Sequence, residues 1–88
     1  MKSVFTEEYD IFLQNLISAR KAADITQQDL ADVLSKPQSF VSKYERKERR
    51  LDVVEYVIIS RAIGIDPCSI IREIEKRLTS RDNPEEPA

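Results

Sequence analysis

The chain has 88 residues, enough for one domain, and its 41% apolar and 34% charged residues are typical of a soluble globular protein. The net charge is −2, and the single cysteine and lack of histidine exclude a disulfide framework and argue against a structural zinc site. No apolar run is long enough to span a bilayer, and acidic residues follow the N-terminus too closely for a secretory signal. We therefore expect a cytoplasmic protein with neither a metal nor a cofactor.

An apolar repeat predicts a first helix over residues 6–23. Residues at three- and four-residue steps form one helical face: Tyr9, Phe12, Leu13, Leu16 and Ile17. Thr6 is positioned to cap this helix, and Glu7 and Glu8 suit the positive end of its dipole.

A capping box opens the second predicted helix. In the sequence T-Q-Q-D, the Thr26 hydroxyl and the Asp29 carboxylate can each accept from the other residue's backbone N–H. Ser35 and Lys36 are expected to form the turn that follows. The residues expected to face the core are Leu30, Val33 and Leu34.

The third predicted helix combines an apolar face with a polar one. Pro37 starts it, since a missing N–H costs nothing in the first helical turn. Val41 and Tyr44 are expected to face the core, with Phe40 packed at its edge rather than against a thymine methyl. Gln38 lies in the first turn, from which a recognition helix reaches base edges. At about 100° per residue, the face opposite Val41 carries Ser39, Ser42, Lys43 and Arg46.

Positive charge is concentrated in this part of the chain. Residues 1–35 and residues 51–88 each sum to −3, whereas residues 36–50 hold six basic and two acidic side chains and sum to +4. Phosphate contacts depend on local potential, so a basic face on an acidic body can bind DNA. From charge alone, a solvated loop explains the segment equally well.

Two further helices are predicted after the basic segment. Asp52 and Glu55 form a second capping box, and Gly64 is placed to end the fourth helix. Asp66 followed by Pro67 is typical of the start of a fifth helix. The apolar residues of these two helices are Val54, Val57, Ile58 and Ala62, then Ile70, Ile71, Ile74 and Leu78.

These elements predict one all-α domain over residues 1–78, with a helix-turn-helix at helices two and three and a flexible polar tail over residues 79–88. Apolar residues at the two ends exceed what so small a domain needs: Val4, Phe5, Tyr9, Ile70, Ile71, Ile74 and Leu78. Either helices one and five pack together within the monomer, or they form part of a two-fold dimer interface.

Four motifs in order resemble the Cro/repressor-type helix-turn-helix domain, the fold of lambda-like phage repressors and of the XRE group of bacterial regulators. The motifs are T-Q-Q-D-L-A, Q-S-F-V-S-K-Y-E-R, R-R-L-D and A-I-G-I-D-P, and the resemblance extends from Leu16 to Leu78. It implies a five-helix lambda-repressor-like domain that binds the major groove of double-stranded DNA as a homodimer, with half-sites about 34 Å apart.

The resemblance also implies a role for each residue of the site. Base contacts are expected from Gln38, Ser39, Lys43 and Ser42, with Gln38 suited to adenine and Lys43 to guanine. Phosphate contacts are expected from Gln27, Arg46, Lys47, Arg49 and Arg50.

Two positions depart from the family pattern, in which glycine is usual at Ser35 and near Lys47. If the loop keeps a left-handed residue at this position, the backbone strain at Lys47 is expected to lower stability by about 1 kcal/mol. Cys68 is expected to be inert, with redox sensing as the alternative because a helix N-terminus lowers a thiol pKa.

The combined prediction is a DNA-binding regulator, most simply a repressor that occupies a palindromic operator. Nothing in the sequence favours catalysis, because it lacks histidine, a catalytic cysteine setting and a glycine-rich phosphate loop. The alternative is a protein-interaction module, such as an antitoxin or anti-regulator that binds a protein partner through the apolar ends. In that case Ile74→Asp should abolish function while Gln38→Ala should not.

Overall fold

A computed structural model describes residues 4–82, with side chains described for residues 7–80. The helices are α1 (Val4–Ala22), α2 (Gln27–Leu34), α3 (Gln38–Glu45), α4 (Val53–Ile63) and α5 (Pro67–Asp82). Residues 4–82 contain no strand, so the predicted all-α class and the helix-turn-helix formed by α2 and α3 are confirmed.

Helix boundaries differ from the expected ones in α1, α3 and α5, including by one residue at the end of α1. Helix α1 begins at Val4, so Thr6 lies inside the helix rather than at its cap. Pro37 occupies the N-cap of α3, one position earlier than expected. Helix α5 continues to Asp82, so residues 79–82, which were assigned to the tail, are helical. No glycine or proline interrupts those four residues, and the remainder of the predicted tail lies outside the described residues.

All five helices contribute to one core. Its buried hydrophobic residues are Leu13, Leu16, Leu30, Ala31, Val41, Tyr44, Tyr56, Ile59, Ile63 and Ile70. Helix α2 packs against α3 and α4, and α1 packs against α5. Because Ile70 is buried and Ile74 packs against the core, much of the apolar side of α5 is used within the monomer. Phe40 is half-buried at the core edge, as expected.

The prediction that Val33 faces inward is wrong, because its side chain is 67% exposed. The buried side of α2 is formed by Leu30 and Ala31, with Leu34 beside them. Val33 lies about 60° around the helix from Leu30, on the side away from Ala31. In α4, Val54 and Ile58 are likewise 62% and 52% exposed.

The helix starts follow the predicted capping pattern. Thr26 and Asp29 exchange both capping-box hydrogen bonds at 3.0 Å. Asp52 and Glu55 do the same, at 2.9 and 2.7 Å. At α5, Asp66 Oδ1 accepts from the backbone N–H of Cys68 at 3.0 Å. These caps satisfy N–H groups that the first turn of a helix leaves without an internal partner.

The helix ends use left-handed residues where the sequence lacks glycine. Ser35 has a φ of 57° and Lys47 a φ of 67°, alongside Gly64 at 93°. After each non-glycine residue the backbone closes back onto its helix: Lys36 donates to the Ala31 carbonyl and Glu48 to the Lys43 carbonyl. Both turns therefore keep the geometry that glycine favours, with the strain expected at Lys47.

Candidate nucleic-acid interface

Helix α3 presents a polar face to solvent and an apolar face to the core. Val41 and Tyr44 are 0% and 1% exposed, whereas Gln38, Ser39 and Lys43 are exposed. Within the described part of the chain, Ser39 and Lys43 make no side-chain hydrogen bond, so their polar groups face solvent. The three main predicted base-contact residues therefore lie together on one accessible helical surface.

A chain of hydrogen bonds connects Gln38 to a buried ion pair. Gln38 Nε2 donates to Gln27 Oε1 at 2.6 Å, and Gln27 Nε2 donates to Glu45 Oε1 at 2.8 Å. The Glu45 carboxylate also accepts from Arg20 Nε and Nη2, at 2.7 and 3.1 Å. Arg20 Nη1 donates in turn to the carbonyl of Ile25 at 2.7 Å. This network joins α1, the loop after it, the start of α2 and both ends of α3.

The network orients the Gln38 amide without using all of it. A primary amide has two N–H donors and one carbonyl acceptor, and Gln27 takes only one of the donors. The free N–H and the carbonyl oxygen are the pair that a glutamine needs for bidentate contact with adenine. Gln27 itself is half-buried. Its side-chain amide donates to Glu45 and accepts from Gln38, so in this structure it is occupied by these two residues rather than open to the predicted phosphate contact.

Arg20 and Glu45 were not singled out from the sequence, although both carry charge at apolar positions of their helices. Arg20 lies four residues after Leu16 on the buried side of α1, and Glu45 lies four residues after Val41. Their side chains are only 8% and 7% exposed. A buried charge needs a partner of opposite charge. A basic residue and an acidic residue at buried helical positions could therefore have predicted the Arg20–Glu45 pair from the sequence.

Three of the predicted phosphate contacts pair with carboxylates in this structure: Arg46, Lys47 and Arg49. Arg46 donates through Nε to Glu48 Oε2 at 3.0 Å and through Nη1 to the Ser42 hydroxyl oxygen. Lys47 Nζ donates to Asp10 Oδ1 of α1 at 2.8 Å. Hydrogen bonding to Arg46 lowers the pKa of Glu48. Ser42 is half-buried beneath Arg46, so it is less open to a base than Ser39 or Lys43.

Arg49 and Arg50 lie against aromatic rings. Arg49 donates to both carboxylate oxygens of Glu55, at 3.0 and 2.6 Å, with its guanidinium carbon 4.9 Å from the centre of the Phe40 ring. The hydrogen bond from Arg49 is the main reason why the pKa of Glu55 falls to about 2. The guanidinium carbon of Arg50 lies 4.2 Å from the centre of the Tyr9 ring. Both contacts are within the range of cation–π attraction.

The surface thus differs from the uniformly positive one implied by the sum of +4. Asp10, Glu48 and Glu55 each hold one cation of the segment after α3. These pairs fix side-chain direction at sites that are largely exposed, where ion pairs are weak and solvent or phosphate competes for the same cation.

The chain is similar to helix-turn-helix proteins over most of its length. The family model HTH_3, described as helix-turn-helix, matches residues 16–70. A solved XRE-family like protein from Pseudomonas syringae pv. tomato str. DC3000 is 46% identical, with a TM-score of 0.81 over 84% of this chain and 90% of that chain. The chain belongs to the XRE helix-turn-helix family. No curated protein matches it.

Membership of the XRE family agrees with the five-helix lambda-repressor-like fold and assigns the chain to DNA-binding transcriptional regulators. Within the described residues, no helix is long and apolar enough to cross a bilayer. The same part of the chain has no cluster of three histidine, cysteine or acidic side chains suited to a metal ion. Cys68 is an exposed free thiol.

Proposed function

We propose that this XRE-family chain is a sequence-specific repressor that occupies a palindromic operator as a homodimer. The observation that carries the proposal is the orientation of Gln38, whose amide is held by Gln27 and, through it, by the buried Arg20–Glu45 pair. A side chain held before binding loses less conformational entropy on contact with a base.

In the proposed complex α3 enters the major groove with Gln38 and Ser39 in its first turn and Lys43 one turn later. Gln38 reads adenine through its free N–H and carbonyl, and Lys43 donates to guanine. Ser42 serves a base or a phosphate once Arg46 moves. The contacts by Gln38 and Ser39 fit the usual docking of a recognition helix by its N-terminal residues.

Phosphate contacts come from the start of α2 and from the basic segment. The backbone N–H of Gln27 lies in the first turn of α2, where donors and the helix dipole favour an anion. The flanking phosphates of the DNA backbone are contacted by Arg46, Lys47, Arg49 and Arg50. The first three of these cations leave or share the carboxylates that hold them in the free protein. Such contacts add affinity and salt dependence but carry no sequence information.

The test is selection of random duplex DNA by the purified protein at about physiological salt, where non-specific binding is weak. An enriched inverted repeat with half-sites about one helical turn apart supports a dimeric, base-reading regulator. On that duplex, Gln38→Ala and Lys43→Ala should each cost about 1–3 kcal/mol and relax preference at one base position. Gln14→Ala, an exposed glutamine on α1, is the matched control and should have no effect.

A pool that stays random, or equal binding by wild type and Gln38→Ala, would contradict the proposal. Repression itself requires a further measurement with the selected operator placed across a promoter. Added protein should then lower transcript yield, and an increase would assign the chain to activators instead.

A further inference from the structure

An apolar surface crosses α2 and α4, and its most exposed side chains, Val33, Val54 and Ile58, lie outside the monomer core. We define the α2–α4 face as Val33, Leu34, Val54, Ile58 and Ala62. On α4, three of these residues recur at steps of four and so form one stripe. The buried side of α4 is a different one, formed by Tyr56, Ile59 and Ile63. Val54 and Ile58 of this stripe are therefore available to a partner, whereas Ala62 also packs against the core.

Two shallow cavities lie on either side of Ile58 along this face. The first, of about 230 Å³, is lined by Leu34, Lys36, Phe40, Glu55, Ile58 and Ile59. The second, of about 370 Å³, is lined by Val33, Leu34, Ile58, Arg61 and Ala62. Ile58 is 52% exposed and stands between the two, so the face has both a projecting apolar side chain and hollows to receive one.

The rim of the face carries both signs of charge. Lys36 and Glu55 border the first cavity, and Arg61 borders the second. Asp29 lies four residues before Val33 and so on the same side of α2. In a two-fold interface the same patch meets itself, so a rim of one sign would repel its copy. A rim with both signs allows opposite charges to meet across the axis.

We propose that the α2–α4 face binds a second copy of the chain and forms the dimer interface. The inference rests on the proposed function, because paired half-sites require two recognition helices and each chain supplies one. Helix α5, the other candidate from the sequence, has Ile70 buried and Ile74 packed on the core of its own chain. This leaves Ile71, 47% exposed, as the large exposed hydrophobic residue of the described part of α5. The α2–α4 face instead includes Val33, Val54 and Ile58, which are all more than half exposed.

The experiment measures the dimer dissociation constant by sedimentation equilibrium, without DNA, for wild type and two single variants. Val54→Asp and Val33→Lys place a charge in the apolar interface, at side chains that are 62% and 67% exposed in the monomer. Asp suits the first turn of α4 and Lys the last turn of α2, so neither opposes its helix dipole. Each should weaken dimerisation by about tenfold or more, since a buried unpaired charge is costly.

Val53→Asp is the matched control, because Val53 is also 67% exposed and precedes Val54 in the same helical turn. It lies about 100° around α4 from Val54, off the stripe. The control should dimerise as wild type does, and thermal unfolding should show all three variants folded. A wild type that stays monomeric, or variants that dimerise like the control, would overturn the proposal.

Binding to a duplex with one half-site separates this inference from the proposed function. Val54→Asp should bind a single half-site as wild type does and lose only the added affinity for the paired site. If wild type selects no DNA but Val54→Asp still dissociates the dimer, the interface stands and the DNA-reading proposal fails. If paired sites are selected but both variants dimerise normally, the interface is elsewhere and the inference fails.

Discussion

Replacing Glu45 by glutamine tests whether the buried ion pair supports both the fold and the orientation of Gln38. Glutamine has nearly the same shape but no charge, and one of its two polar ends is a donor. In Glu45→Gln, the amide nitrogen must face an Arg20 donor in either orientation, because Arg20 donates to both carboxylate oxygens and Gln27 donates to Oε1. The change therefore removes the charge and introduces a donor–donor contact without creating a cavity.

The expected loss of stability is large for a chain of this size. Removing one partner of a buried ion pair costs about 3–5 kcal/mol, because the other charge remains buried. The Arg20 side chain is only 8% exposed, so water compensates little of that cost. At about 0.05–0.15 kcal/mol per residue, the total stability of 88 residues is roughly 4–13 kcal/mol. A loss of about 3 kcal/mol would lower the Tm by at least about 12 °C.

The assay is urea unfolding at equilibrium, followed by DNA binding at a temperature where the variant is folded. Glu48→Gln is the matched control, since it makes the same substitution opposite another arginine, Arg46, at an exposed pair. Exposed pairs contribute little to stability, so the control should unfold close to wild type. Glu45→Gln should also relax the base preference assigned to Gln38, because the Gln27 amide loses its fixed acceptor.

The reasoning is refuted if Glu45→Gln unfolds at the same urea concentration as Glu48→Gln. That result would mean that the Arg20 charge finds water or another acceptor at no cost. A stability loss with unchanged base preference would refute the second step alone. The ion pair would then hold the helices together without controlling the recognition side chain.

The other predictions concern single groups. Tyr44→Phe should leave stability unchanged or raise it by up to about 1 kcal/mol, because the buried Tyr44 hydroxyl has no hydrogen-bond partner in the described structure; a clear loss in urea unfolding would contradict this. Ser35→Gly should raise the Tm, because relief of the left-handed strain at Ser35 should exceed the entropy cost of glycine by about 0.5–1 kcal/mol. A lower Tm would contradict this prediction. The pKa of Glu55 is lowered to about 2 from its usual 4.5. The ionised Glu55 therefore stabilises the folded state above about pH 4.5, and this stabilisation is lost as the pH falls towards 2. Glu55→Gln should therefore flatten that part of the acid unfolding curve, and an unchanged curve would count against the Arg49–Glu55 pair.

The features that the sequence predicted well are those that depend on neighbours along the chain. Both capping boxes form with both hydrogen bonds, because the two partners are three residues apart and the helix start brings them together. Gly64 ends α4 with a φ of 93° for the same local reason. Helix α5 was underestimated by four residues because polarity was used as a stop signal, although polar residues are compatible with an exposed helical turn.

Side chains whose environment depends on tertiary packing were predicted less well. Val33 fits the apolar repeat of α2 as well as Leu34 does, but α4 packs against a stripe that excludes it. The partner of Lys47 is Asp10, 37 residues earlier in the chain, and no local pattern links the two. Arg20 and Glu45 are 25 residues apart, and only their positions on two buried helical faces connect them.

The electrostatics of the site follow from this difference between local and tertiary information. A count of charges over residues 36–50 describes the segment as though it were isolated, but α1 supplies Asp10 and α4 supplies Glu55 to its cations. Each carboxylate holds a basic side chain in one direction and reduces its attraction for a phosphate at a distance. Because these pairs are exposed, a phosphate that reaches the surface can still compete for the cation. The arrangement favours close, well-aligned contact over long-range attraction, which agrees with the proposal that the protein distinguishes one DNA sequence from others.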